Sequence, residues 1–204
     1  MPVWVVKVPD TSTGKILLWL SPEGKQGILN KNTLTSFLDK GYTIVTADMP
    51  GTGELHDPDF KGDGFVQKVP FNYTFGAMLA GKSITGIIAG HIDLLMQFIS
   101  RLNPRHLPVD AFIEKEMASP FLHFTAFKDP FNKILFLEPS MHNQKLMSEK
   151  FYDPRLAFYT VPGSLPFYED VDLLQYLPDN SFKILFHSKN EKDHTGEILN
   201  FFEN

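Results

Sequence analysis

The sequence contains no cysteine among its 204 residues. This absence excludes disulfide bonds, thiolate zinc sites and cysteine-based catalysis within the chain. An excess of positive charge is also missing, because 19 lysines and arginines stand against 24 aspartates and glutamates, which gives a formal net charge of −5. Proteins that bind nucleic acid usually present a basic face, so we expect no nucleic-acid partner.

Long hydrophobic runs are absent as well, and no stretch approaches the roughly 18 apolar residues of a membrane-spanning helix. We therefore expect no membrane partner. The N-terminal MPVWVVKVPD is typical of the start of a strand, since it lacks the basic, apolar and small-residue segments of a signal peptide. We expect no metal site and no cofactor, because most histidines are scattered without ligand spacing (His56, His91, His106, His123, His142 and His187).

Apolar and aromatic residues, by contrast, are plentiful and follow strand and helix patterns. Nineteen phenylalanines predict an aromatic-rich core. Short β-rich runs at 3–8, 15–20, 43–48, 109–113, 133–137 and 182–186 alternate with helical stretches near 32–40, 83–102 and 119–127. The alternation predicts an α/β fold with a doubly wound, mostly parallel sheet in a single domain over residues 1–204, with the runs at 43–48 and 109–113 central.

One stretch, GAMLAGKS at 76–83, satisfies the pattern of a phosphate-binding loop. In such a loop the backbone amides wrap the phosphates, Lys82 contacts them and Ser83 binds magnesium. The preceding FNYTF is a poor buried strand, however, and AMLA is apolar and helix-prone. The alternative prediction is that residues 77–80 lie on or near a helix and that Ser83 caps the next one.

Another motif, ADMPGTGE, ends a buried strand at Asp48 and resembles the turn after the fourth strand of α/β-hydrolases. Longer phrases agree in order: KGYTIVTADMPGTGE, GKSITGIIAGHIDLLMQFI, FYDPRLAFYTVPGSL and VDLLQYLP. Together they resemble bacterial acetyl-xylan-esterase-like proteins of the α/β-hydrolase superfamily over about residues 15–202. The resemblance implies an α/β-hydrolase-like fold, in which the GKS segment begins the helix before the nucleophile strand.

Active members of this superfamily carry a serine in a G-x-S-x-G elbow between a strand and a helix. The resemblance places Lys115 at the serine position and Ile113 and Met117 at the glycine positions. If the match is shifted by one residue in either direction, Glu114 or Glu116 occupies the serine position. No nearby register therefore supplies a serine. The elbow is therefore predicted to be degenerate. Either Lys115 occupies the serine position with Glu114 and Glu116 beside it, or all three charged residues face solvent on an ordinary turn.

Two nearby serines are also weak nucleophile candidates. Ser119 precedes Pro120, an arrangement that predicts a helix N-cap. Ser83 lacks the glycine spacing of the elbow. The resemblance places the loop SPEGKQG at the position of the oxyanion loop, the glycine-rich segment that stabilises the transition state in active members. Pro22 and Glu23 lie inside this loop.

The acid and the histidine of the triad have two alternative placements, which depend on the strand to which 182–186 corresponds. The resemblance implies that 182–186 is the acid-bearing strand, with Glu191 or Asp193 in its loop. Only one helix follows, so the fold is expected to be truncated at the C-terminal strand. If 182–186 is instead the last strand, His194 takes the histidine position and Asp170 or Asp172 the acid position.

These observations predict an α/β-hydrolase-like domain without a working serine triad and with no assigned catalytic residue. Its expected role is that of an accessory or interaction module, whose partner is a carbohydrate or another domain of a longer protein. The alternative is an active carbohydrate esterase with unrecognised catalytic residues. A nucleotide-binding protein is the third hypothesis.

Overall fold

A computed structural model describes residues 1–9, 13–29, 31–56, 65–66, 69–141, 148–186 and 194–203. Its main feature is a six-stranded sheet in the order β1-β3-β2-β6-β7-β8, in which only β1 is antiparallel to its neighbour. The strands are β1 (Val3–Val6), β2 (Ile16–Leu20), β3 (Thr43–Ala47), β6 (Val109–Glu114), β7 (Phe131–Leu137) and β8 (Phe182–Leu185). A separate ribbon pairs β4 (Phe65–Val66) with β5 (Val69–Pro70).

Helices cover both faces of the sheet, which confirms the doubly wound α/β prediction. They are α1 (Asn32–Asp39), α2 (Phe71–Leu79), α3 (Ile84–Leu102), α4 (Ala118–Thr125), α5 (Pro154–Phe158) and α6 (Thr195–Glu203), with 3-10 turns at Lys25–Ile28, Gly53–Leu55, Lys115–Met117 and Asp170–Tyr176. One hydrophobic cluster packs α3 and α4 on the sheet, and a second packs α1 and α6 on the opposite face. The central strand β2 contributes Leu18 to the first cluster and Trp19 to the second.

The long helix α3 follows its predicted boundaries closely. Ser83 caps it, because its hydroxyl accepts a hydrogen bond from the Gly86 amide at 3.0 Å. The recurrence of apolar residues at spacings of four and three predicts one buried stripe on this helix, formed by Ile88, Ile92, Leu95, Ile99 and Leu102. The first four are buried, but Leu102 is 44% exposed. That part of the prediction was wrong: the buried Asn103, bonded to the backbone of Leu107 in both directions, closes this end of the helix instead.

Two strand predictions also need correction. Strand β3 is buried as expected, but it lies second from the edge, and β2 and β6 form the centre. Strand β8 is only half-buried, because it has a neighbour on one side only. Within the described ranges no strand follows β8.

No single helix in the described part of the chain is both long and apolar enough to cross a membrane. Helices α2 and α3 satisfy the length and composition test only as a pair, across an 88° bend.

Candidate functional site

A cleft lies at the carboxyl ends of the parallel strands, where ligands bind in open α/β sheets. Its volume is about 640 Å³. The segment after β2, the start of α1, the ends of β6 and β7 and the start of α6 form its walls. Its polar lining consists of Ser21, Glu23, Lys31, Asn32, Thr33, Glu114, Lys115, Glu138, His194 and Thr195.

Lys115 forms the sharp turn between β6 and α4, as the alignment of this stretch predicts. Strand β6 ends at Glu114, and the 3-10 turn that begins at Lys115 runs directly into the helix. The backbone of Lys115 has φ +49°, in the left-handed region that few non-glycine residues adopt. Lys115 lines the cleft, and its ammonium forms no hydrogen bond or ion pair with any residue that the structure describes.

The two positions that flank this turn carry full side chains. Ile113 and Met117 are both completely buried and belong to the cluster that packs α3 and α4 on the sheet. The chain therefore makes this strand–turn–helix connection with large apolar residues two positions before and two positions after Lys115.

Glu114 joins the turn to the start of α1. Its carboxylate accepts a hydrogen bond from the Trp19 indole at 2.9 Å, and both of its oxygens contact the Lys31 ammonium, at 2.6 and 2.5 Å. Glu114 is only 3% exposed. Its charge is therefore compensated inside the cleft wall.

Glu116 is also buried but points elsewhere. Its Oε1 lies 3.6 Å from the guanidinium of Arg155, while its Oε2 has no hydrogen-bond partner within the described segments. Glu116 does not line the cleft. The alternative in which all three charges of the turn face solvent is wrong, because Glu114 and Glu116 are only 3% and 5% exposed.

The N-cap prediction for Ser119 is wrong. The 3-10 turn continues into α4 from Ala118, so Ser119 lies inside the helix and Met117 occupies the cap position without a side-chain bond. The Ser119 hydroxyl donates to the carbonyl oxygen of Tyr159 at 2.8 Å, and the Thr85 hydroxyl donates to the same oxygen at 2.7 Å. Ser119 is buried and does not line the cleft.

Asp48 holds together the two loops that follow β2 and β3. Its carboxylate accepts hydrogen bonds from the backbone amides of Lys25 (2.8 Å) and Glu54 (3.0 Å) and from the Lys25 ammonium (2.5 Å). Gly24 and Gly53 both have positive φ, and a Cβ at either would lie 2.4 or 2.1 Å from Asp48 Oδ1. These glycines are therefore required for the loops to close on the carboxylate. The Lys25 amide, which belongs to the predicted oxyanion loop, is therefore already hydrogen-bonded to Asp48.

The ion pair between Lys25 and Asp48 changes the pKa of both groups. Burial by itself would raise the pKa of Asp48, but the hydrogen bonds from Lys25 and from the two amides outweigh it and lower the pKa. Burial would likewise lower the pKa of Lys25, but its bonds to Asp48 and Glu54 raise it. Both groups are therefore held in their charged forms.

His194 lines the cleft from the start of α6, as the interpretation of β8 as the last strand requires. Its Nδ1 lies 3.5 Å from the carboxylate of Glu197, in the first turn of α6. The predicted acids Asp170 and Asp172 do not line the cleft, and Asp172 caps its own 3-10 turn by accepting from the Glu169 amide. The other predicted acids, Glu191 and Asp193, lie outside the described residues, as do His142 and His187.

The remaining described histidines lie away from the cleft. The ring of His123 contacts the Ser119 carbonyl and the Tyr168 hydroxyl, both at 2.8 Å. Burial lowers the pKa of His91 on α3. Over the described ranges, no group of three or more His, Asp or Glu side chains could hold a metal ion.

The GAMLAGKS stretch is not a phosphate-binding loop. Gly76 to Leu79 belong to α2, and the amides that follow donate within the helix end: Gly81 to Met78 and Lys82 to Ala77, at 2.9 and 2.8 Å. The hydroxyl of Ser83 caps α3. The backbone donors of the motif are therefore already used, which supports the helical alternative.

We expect ATP with magnesium to leave the melting temperature unchanged. A ligand at a hundredfold excess over its dissociation constant stabilises a native protein by about 2.7 kcal/mol, which a thermal-shift assay detects easily. Lys82→Ala is the matched control. A shift in the parent protein that this substitution removes would restore the nucleotide-binding hypothesis.

Comparison with known proteins supports the fold at low sequence identity. No family model matches the sequence, and no curated protein matches it. A Bacteroides fragilis protein assigned as an acetyl xylan esterase is 13% identical, with a TM-score of 0.66 over 91% of this chain and 55% of its own. Protein TT1662 of Thermus thermophilus is 14% identical, with a TM-score of 0.60 over 100% of this chain and 98% of its own.

A thermostable carboxyl esterase of Bacillus coagulans is 12% identical, with a TM-score of 0.50 over 72% of this chain and 42% of its own. The chain thus spans about half the length of the Bacteroides protein but nearly all of the Thermus protein. Together with the sheet order, these similarities show an α/β-hydrolase-like fold. At such identities they leave the activity open.

Proposed function

We propose that this α/β-hydrolase-like domain binds a ligand in the cleft and does not hydrolyse esters through a serine. The observation that carries the proposal is Lys115 at the turn between β6 and α4, where it lines the cleft. An amine that attacks an acetyl ester forms a stable amide, so Lys115 cannot replace a serine that turns over.

The nearby hydroxyl groups support the same conclusion. Ser119 is buried outside the cleft and donates its hydrogen to Tyr159. Ser21 does line the cleft, but it follows β2, and its Oγ lies 3.4 Å from the Glu23 amide that it accepts from. Neither serine lies on the turn between strand and helix that exposes a nucleophile.

The ligand that we propose is a saccharide, by analogy with the Bacteroides protein, whose assigned name refers to a xylan. The cleft offers groups that suit hydroxyls: the amide of Asn32, the hydroxyl of Ser21 and the carboxylate of Glu23. Phe112 adds an apolar surface to the wall. In this proposal the domain is an accessory module that presents a carbohydrate to another domain or protein.

A second candidate function, that of an active carbohydrate esterase, is favoured by one observation. His194 lies on the cleft wall with Glu197 beside it, and a histidine oriented by a carboxylate can act as a general base toward water. Such an enzyme would hydrolyse an ester without a covalent serine intermediate.

A hydrolysis assay separates the two candidates. We expect the purified protein to show no turnover of p-nitrophenyl acetate above a matched control protein, and fluorophosphonate probes to leave it unlabelled. Turnover that His194→Ala abolishes would favour the second candidate. Stoichiometric labelling of Ser119, lost in Ser119→Ala, would overturn the first.

A further inference from the structure

Two residues with unusual backbone conformations lie side by side in the cleft. Strands β6 and β7 are parallel neighbours, with Glu114 opposite Leu137. Lys115 and Glu138 are the residues that directly follow these two strands, so they stand at the same level of the sheet. Both line the cleft. Their φ angles are +49° and +50°, in the left-handed region. Conformations of this kind in non-glycine residues concentrate at functional sites.

The charges of the cleft distinguish one lysine from the other. The ammonium of Lys31 is bound by both oxygens of Glu114 and lies over the ring of Trp19. The ammonium of Lys115 has no such partner in the described part of the chain. Among the described residues, the cleft therefore presents a lysine whose charge is not compensated by a directly bonded side chain. An ammonium in this state binds an anionic group strongly through a charge-assisted hydrogen bond.

The remaining cleft residues restrict which anion fits. Glu138 and Glu23 line the same space, and their carboxylates accept hydrogen bonds but donate none. A doubly charged phosphate would be repelled by these carboxylates. A ligand with a single carboxylate and several hydroxyls would satisfy both the ammonium and the acceptors.

We propose that the cleft selects an acidic saccharide, a sugar that carries a carboxylate. The carboxylate binds the Lys115 ammonium, and hydroxyls of the ring donate to Glu138 and Glu23. This inference rests on the proposed saccharide-binding function and adds the charge of the ligand to it.

Isothermal titration of the full chain with D-glucuronate and D-glucose tests the inference, because these sugars differ by a carboxylate in place of a hydroxymethyl group. We expect glucuronate to bind about tenfold more tightly, the ratio that one charge-assisted hydrogen bond provides. Lys115→Gln should remove the difference, and Lys115→Arg should retain it. Lys82→Gln, at an exposed lysine outside the cleft, should leave both affinities unchanged.

Each outcome has a distinct meaning. Equal affinities for the two sugars would overturn the acidic-saccharide inference and leave the saccharide-binding function standing. Binding of neither sugar would overturn the saccharide ligand itself. Equal binding of acetate, or tighter binding of inorganic phosphate, would show that the site recognises an anion and not a sugar. If Lys115→Gln does not fold, a preference for glucuronate that persists in the parent protein at high salt would count against the ammonium.

Discussion

Replacing Asp48 by alanine is expected to lower the free energy of unfolding by about 3–5 kcal/mol, the usual cost of removing one member of a buried ion pair. Asp48 is fully buried and Lys25 is 1% exposed, so the substitution would leave the Lys25 ammonium in the protein interior with the exposed Glu54 carboxylate as its remaining ion-pair partner among the described residues. Two backbone amides, of Lys25 and Glu54, would lose their acceptor as well. Urea unfolding should show a lower midpoint at an unchanged slope.

The exposed ion pair between Asp93 and Lys128 provides the matched control. Its two side chains are 31% and 62% exposed and lie 2.6 Å apart. Because solvent screens such a pair, Asp93→Ala should change stability little. Equal effects of the two aspartate substitutions would show that the Asp48 carboxylate does not hold the two loops together.

The difference in the free energy of unfolding between the parent protein and Asp48→Ala depends on pH, and the pKa shifts of Asp48 and Lys25 predict how. The pKa of Asp48 is lowered in the folded protein from its ordinary value of 3.8, so its contribution is complete above that value and is lost as the pH falls through the folded pKa. The pKa of Lys25 is raised from 10.5, so its contribution is complete below that value and is lost as the pH rises through the raised pKa. The difference between the parent protein and Asp48→Ala should therefore be constant near neutral pH and shrink at both extremes.

The sequence predicts the turn at Lys115 well, because local patterns determine it. Strand β6 is apolar apart from Asp110 and its last residue, Glu114, and the apolar residues from Met117 onward suit a helix. The N-cap of α3 at Ser83 is likewise encoded by neighbouring residues. Both features depend on contacts within a few positions along the chain.

The errors arise where distant contacts decide the outcome. Ser119 followed by Pro120 favours an N-cap, but the carbonyl of Tyr159, 40 residues later, accepts the hydroxyl bond instead. The order of strands is equally non-local: the apolar runs of β2 and β3 are both buried, so burial could not show which one is central. His194 and Glu197 are different, since their three-residue spacing on a helix could have identified the pair from the sequence.

The partners of Glu114 could not be predicted from local sequence patterns either, because Lys31 is 83 residues away and Trp19 is 95 residues away. Glu114→Ala should lower the free energy of unfolding by about 2–3 kcal/mol, since it leaves a buried indole donor without its acceptor and an ammonium without its counter-ion. The loss should be smaller than at Asp48, because Lys31 is 34% exposed and water can replace part of its bonding.

A double-mutant cycle isolates the ion pair from the indole bond. Glu114→Gln and Lys31→Met, made singly and together, should give a coupling energy of about 1–2 kcal/mol, within the range for contacting residues. Glu23→Ala, at an exposed carboxylate of the same cleft, serves as the control and should change stability little. A coupling energy near zero would mean that Lys31 does not neutralise Glu114 in solution. The Lys31 ammonium would then be free to bind an anion, and Lys115 would no longer be distinguished from it by its lack of a partner.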